Sequence, residues 1–122
     1  MTTATATTSS PAYAIAHLTD VDLGAEIATY LQRIDETLEP FGGRFLVHGS
    51  ELERLEGDWG DDTAAVVVIA FPDRDAARAW YRSPAYQEIL PLRTEHARCR
   101  TALLDGVPHG YRATDTLARL VP

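Results

Sequence analysis

Short apolar runs alternate along this chain with two stretches of helical periodicity. Residues 13–18, YAIAHL, form the first run and read as a strand. Thr19 and Asp20 end it, and Asp20 or Asp22 is placed to cap a helix. In that helix apolar residues recur at Leu23, Ile27, Tyr30, Leu31, Ile34 and Leu38. Spacings of three and four put them on one continuous face. Arg33, Asp35, Glu36 and Glu39 fall largely on the other side, Pro40 weakens the end, and Gly42-Gly43 stops the helix. Residues 44–48, RFLVH, read as the second strand. Strict alternation gives Phe45 and Val47 one face and Arg44, Leu46 and His48 the other. Residues 51–57 read as an edge extension or hairpin arm, and 58–62 as a polar loop carrying Trp59 and Gly60. Residues 64–71 are apolar on both faces, which predicts a central strand covered on both sides.

Pro72-Asp73 opens the second helix, with Ala76, Ala77, Trp80 and Tyr81 as its inner face. Ser83 then caps a further helical piece with Pro84 at its first position, where proline fits best. Tyr86, Ile89 and Leu90 pack inward, and the piece continues past Pro91 toward Glu95. Residues 99–105 are the fourth strand. In the tail that follows, residues 114–120 suit a short helix with Leu117 and Leu120 for docking. The order β-α-β-β-α-β predicts an α+β fold of ferredoxin-like form: an antiparallel sheet with both helices on one face. Ala65, Val67, Ile69 and Phe71 serve one face of the third strand, and Val66, Val68 and Ala70 the other. No third layer remains in the chain, so the second face calls for another copy, sheet against sheet. A homodimer is the expectation, unless the C-terminal tail folds across that face.

A length of 122 residues suits one domain. The expected division is a disordered N-terminal tail at 1–11, the folded domain at 12–107 and a C-terminal tail at 108–122. The net charge of −7 argues against nucleic acid or an anionic membrane as the main partner. A lone cysteine, Cys99, leaves no disulfide framework and argues against a thiolate metal site; it reads as an inert, buried thiol. No apolar stretch reaches the length of a membrane span, and the first residues lack the pattern of a signal peptide. The expected setting is cytoplasmic.

GGRFLVHG, LEGDW, FPDRDAARAWYRSPAYQ and LPLR, in this order, resemble the family called domain of unknown function 1330. The resemblance covers roughly residues 13–107. It implies the dimeric α/β-barrel superfamily, in which two ferredoxin-like protomers pack their sheets into a shared barrel. Relatives of that fold include cofactor-free monooxygenases, muconolactone isomerases, haem-dependent chlorite dismutases and members without known activity, so the fold does not choose a reaction. Two positions depart from the family pattern. Ala70 stands where an acidic residue often precedes Phe-Pro, and His48-Gly49-Ser50 replaces an arginine followed by two glycines. Both changes remove charge from strand positions and leave histidine as the titratable group.

Alternation then proposes a cleft inside the barrel. With Ala14 and Ala16 beneath a helix, Tyr13, Ile15 and His17 face the interior, joined by Arg44, Leu46 and His48. Val68 and Ala70 add to the lining, and Trp59 is a lid or a dimer contact. A mostly apolar lining with a few polar groups is the composition of a small-molecule site. His17 or His48 is suited to act as general base, and Arg44 to stabilise an enolate or phenolate. The competing role for either histidine is a structural or interface one. His17 and His48 lack a third ligand for a metal, so neither metal nor cofactor is expected. Arg93 reads as a helix-capping residue or as a partner for Glu95 or for a carboxylate of a second copy; His96 and His109 read as solvated. The function expected is a cofactor-independent enzyme, monooxygenase- or isomerase-like, on a small, partly apolar organic molecule. A non-catalytic ligand-binding or structural dimer is the alternative.

Overall fold

A computed structural model describes residues 10–120. The expected N-terminal tail therefore lies almost wholly outside the described residues. Strand β1 (Ala12–Thr19) leads to helix α1 (Ala25–Leu38), and a 3-10 turn (Glu39–Phe41) joins α1 to β2 (Arg44–His48). Strand β3 (Ala65–Phe71), helices α2 (Arg74–Arg82) and α3 (Pro84–Thr94) and strand β4 (Arg98–Asp105) complete the domain. The sheet order is β2-β3-β1-β4 with every neighbouring pair antiparallel. This is the ferredoxin-like arrangement, and β3 and β1 are its central strands.

The two junctions flanking α2 are set by capping. The Asp73 carboxylate accepts from the Ala76 N–H at 2.8 Å, and the Ser83 hydroxyl caps α3 with Pro84 at its first position. Helix α1 begins later than its apolar spacing predicts. Gly24 is its N-cap, without a side-chain bond, and Leu23 is 75% exposed. Asp20 instead adopts a left-handed φ of 51°, and its N–H is tied to Asp61, so the chain turns before it can coil. The exit from α1 needs both glycines. Gly42 has φ 71°, and a Cβ on Gly43 would sit 2.8 Å from Leu38 Cδ2 and Phe71 Cε1.

The core lies between the sheet and the helices. Tyr30, Ile34 and Leu38 of α1 meet Ile69 and Phe71 of β3, Ala77 and Trp80 of α2, and Tyr86 and Ile89 of α3. The Trp80 ring lies 4.1 Å from the Tyr86 ring, and its indole N–H donates to Thr37 Oγ1 at 2.9 Å. The Thr37 hydroxyl donates in turn to the Ile34 carbonyl, so this buried polar side chain is satisfied. Tyr81 is half-turned to solvent.

Residues 51–57 form no strand; the segment between β2 and β3 is a loop. It is held by side-chain bonds. The Asp61 carboxylate accepts from the Asp20 and Thr63 N–H groups and from the Thr63 hydroxyl, and Arg54 donates to the Gly60 and Asp61 carbonyls. After β4, a 3-10 turn (Ala113–Thr116) runs into α4 (Leu117–Leu120). Leu117 and Leu120 are 56% and 70% exposed, so the expected docking of these side chains is not made. Among the described residues no helix is long and apolar enough to cross a membrane.

Candidate functional site

Alternation along β1 is regular. Ala12, Ala14 and Ala16 pair with Phe71, Ile69 and Val67, on the helix side. Tyr13, Ile15 and His17 pair with Ala70, Val68 and Val66, on the open side. Strand β2 is not regular. Arg44 pairs with Ala70 and Phe45 with Ile69, but then the register shifts and Val47, not Leu46, pairs with Val68. Leu46 is the extra residue of a β-bulge. Beyond it, His48 pairs with Val67, a residue packed against the core.

The bulge separates the two histidines that alternation had put together. His48 is on the helix side, its ring 4.6 Å from the Phe45 ring. His17 stays on the open side, where its Nε2 lies 2.9 Å from the Trp59 carbonyl and its ring meets the Trp59 indole edge-on at 5.2 Å. Arg44 is exposed on the open side and does not share a pocket with His48. Tyr13, Val68 and Ala70 also belong to the open side, as does Leu46 by its place in the bulge. Trp59 covers His17 and is no lid over the helix side. A cleft uniting His17, His48 and Arg44 is therefore not formed within the chain. Sequence alternation missed this because one inserted residue reverses every later side chain of a strand.

The cavity lies on the other side of the sheet, between sheet and helices, with a volume of about 410 Å³. Its walls are mainly apolar: Ala14 and Ala16 of β1, Ile27 and Leu31 of α1, Phe45 and Val67. Ile15 also borders it, while the other open-side candidates do not. His48 lies at its β2 wall, where a second pocket of about 700 Å³, bounded by Glu51, Leu52, Arg54 and Asp62, adjoins. Toward α2 and α3 the polar groups are Arg78, Arg82, Arg93, Tyr30 and Tyr86.

Arg93 is the residue whose role the sequence did not disclose. It is only 6% exposed, and no ion pair to Glu95 or any other carboxylate forms among the described residues. Its guanidinium lies 5.9 Å from the centre of the Tyr30 ring and donates a long bond, 3.4 Å, to Tyr86 Oη. Tyr30 and Tyr86 share a hydrogen bond of 2.7 Å. Burial, helped by the neighbouring Tyr86, drives the Tyr30 phenol far above its ordinary range, so it stays protonated. Burial likewise raises the Cys99 thiol, against the opposing pull of Arg93, which suits the inert role read for it. The signal for Arg93 was its spacing: it falls seven residues after Tyr86 on the inner face of α3, two turns along. His96 is not solvated either. Its Nδ1 meets the Leu92 carbonyl at 3.0 Å, and its backbone carbonyl accepts from Asp22. No group of three or more His, Cys, Asp or Glu side chains is placed to hold a metal among the described residues.

A family model described as domain of unknown function (DUF1330) matches residues 11–107. No curated protein matches the sequence closely enough to count as a relative. Among solved structures, a protein of unknown function from Rhodopseudomonas palustris, RPA0582, superposes with a TM-score of 0.63 at 19% identity, over 82% of this chain and 85% of its own. SnoaB, a cofactor-independent oxygenase from Streptomyces nogalater, superposes with a TM-score of 0.58 at 16% identity, over 84% of this chain and 99% of its own. A conserved protein from Methanosarcina mazei gives 0.59 at 18%, over 82% and 96%. At these identities the likeness is one of fold.

Proposed function

The chain belongs to the domain of unknown function 1330 family, and we propose that its helix-side cavity is the active site of a cofactor-independent enzyme acting on a small, partly apolar organic molecule. The observation that carries this reading is the cavity itself. About 410 Å³ is lined mainly by apolar side chains, with an imidazole at one wall. That combination binds an apolar body and offers a proton acceptor effective near neutral pH. The fold is shared with a protein described as a cofactor-independent oxygenase, which makes this class of chemistry compatible with the scaffold.

His48 is the proton acceptor in this proposal, and His17 is not. His48 faces the cavity, whereas His17 is engaged with Trp59 on the opposite side of the sheet. Removal of a proton from an acidic C–H or a phenol leaves an electron-rich anion. Return of the proton at another carbon is an isomerisation. Reaction of the anion with dioxygen instead turns a CH₂ into C=O and releases water, with no added reductant. The test is a panel of phenols and 1,3-dicarbonyl compounds, read by oxygen uptake and by deuterium incorporation from heavy water. Wild type should turn over at least one compound, and His48→Gln should lose turnover by roughly two orders of magnitude or more while still binding it. Equal turnover by His48→Gln would remove histidine from the mechanism.

A second reading has its own support. The His48 ring stacks on Phe45, which is also how a structural histidine packs. A non-catalytic binder would show occupancy of the cavity by the same compounds with no turnover in either protein.

The open sheet face belongs to the proposal as well. Ile15, Val66, Val68 and Ala102 lie side by side there, and Leu46, Val47 and Leu104 are exposed around them. The leucines of α4 remain exposed and do not cover this face. A second copy packed sheet to sheet would bury it, with Trp59 and Arg44 at the rim of the contact.

A further inference from the structure

The cavity has an inverted charge balance. The chain carries a net charge of −7, yet three arginines, Arg78, Arg82 and Arg93, line the cavity, and no Asp or Glu does. Arg78 reaches Asp75 at 3.4 Å near the surface. Arg93 has no such relief. It is 6% exposed, its neighbours are two tyrosines and a thiol, and all three are neutral when protonated.

A count of protons sharpens the point. A guanidinium offers five N–H donors and no acceptor. Among the described residues, its one side-chain hydrogen bond goes to Tyr86 Oη, at 3.4 Å. The two phenols hold two hydroxyl protons between them, and one is spent on the 2.7 Å bond that joins them. Whichever phenol donates, the other keeps a proton with no acceptor among the described residues. The Cys99 sulfur beside Arg93 is at best a weak acceptor. The cluster therefore has more donors than protein acceptors; no fully buried side-chain nitrogen or oxygen lacks a partner among the described residues, so the Arg93 nitrogens without one are accessible from the cavity or from solvent. A guanidinium only 6% exposed and without a carboxylate partner among the described residues favours a negatively charged acceptor placed against those accessible nitrogens.

We propose that the cavity takes organic oxyanions, a carboxylate or phenolate on an apolar or aromatic body, with Arg93 and the spare phenolic proton of the Tyr30–Tyr86 pair holding the charged oxygen. This assignment rests on the reading of the cavity as a ligand site and adds the chemical class of its ligand. A planar oxyanion matches the fork of a guanidinium, and the apolar walls of α1 and the sheet take the remainder. The oxyanion also fixes polarity: the charged end lies toward α3, and the apolar end toward His48.

The test compares three probes on the full chain: 2-naphthoate, the uncharged 2-naphthamide of the same shape, and 4-nitrophenol, whose absorption distinguishes phenol from phenolate. Calorimetry gives affinity. The NMR signal of the Trp80 indole N–H, inside the same layer, reports occupancy. The expected result is that naphthoate binds at least about tenfold more tightly than naphthamide, or that 4-nitrophenol binds as the phenolate, with the Trp80 signal shifted. A carboxylate preference and a phenolate preference separate the two ligand sources. Arg93→Met should bind naphthoate and naphthamide alike, and Arg93→Lys should keep part of the preference. Should Arg93→Met fail to fold, the comparison of probes on wild type still decides. Equal affinity for naphthoate and naphthamide, with 4-nitrophenol bound as the neutral phenol, overturns the oxyanion assignment and leaves the cavity a ligand site. Failure of all three probes to shift the Trp80 signal overturns the cavity reading, and the assignment with it.

Discussion

At the scale of single residues, the clearest dependencies are those in which one group satisfies several others. Asp61 accepts from two backbone N–H groups and a hydroxyl, and the Thr63 hydroxyl is the main reason its carboxylate lies below the usual range. A depressed carboxylate stabilises the fold above its unfolded pKa and loses that contribution as pH falls through its folded one. The loop around Trp59 should therefore loosen only on acidification below the ordinary carboxylate range. Trp59 emission should report it, and Asp61→Ala should show the loosened signal already at neutral pH. Ile89 is fully buried, and Ile89→Ala should cost about 2–5 kcal/mol in chemical denaturation. A cost under about 1 kcal/mol would mean that α3 packs less tightly than its buried face indicates.

At the scale of elements, β2 decides the site. Its limits, Arg44–His48, were legible in the sequence, because an apolar-polar run after two glycines announces a strand. Its bulge was not, because the bulge depends on how β3 lies alongside. The pairings Phe45 with Ile69 and Val47 with Val68 leave Leu46 without a partner. Deleting Leu46 should then remove the bulge and leave His48 on the helix side. The His48–Phe45 ring contact should persist as a nuclear Overhauser effect in the deletion variant. Its loss, with His48 moved to the open side, would show that Leu46 is not the inserted residue. The helices were more legible. Ser83 acts as the cap that its position predicts, and the helix expected to open at Pro72-Asp73 is capped by Asp73, while Gly24, not an aspartate, begins α1.

At the scale of the whole molecule, the unresolved balance is between the two faces of the sheet. One is covered by α1, α2 and α3; the other presents β-branched and leucine side chains without a covering layer among the described residues. Sheet-to-sheet pairing should give a particle of twice 13.4 kDa by light scattering at micromolar concentration. Val68→Asp should yield a monomer, since it would place an unpaired charge in that contact. A monomeric wild type would rule out the second copy as the cover of this face. An intact dimer in Val68→Asp would place the contact elsewhere. The helix-side cavity is lined by elements of one chain, so ligand binding and dimer formation can be measured separately.

The sequence by itself determined the element order, the helix start at Pro72-Asp73, the cap at Ser83, the central place of β3 and the apolar character of both sheet faces. Each of these follows from periodicity or from local backbone bonding, which near neighbours in the chain suffice to set. The tertiary structure alone decided which side of the sheet His48 faces, that Trp59 belongs to His17, and that Arg93 is buried against Tyr30 and Tyr86. Those facts depend on contacts between residues far apart in the chain: a register shift against β3, a loop folded back by Asp61, and the approach of α3 to α1. Alternation fixes a side chain's face only while the ladder is unbroken, and one inserted residue was enough to move the candidate site from one side of the sheet to the other.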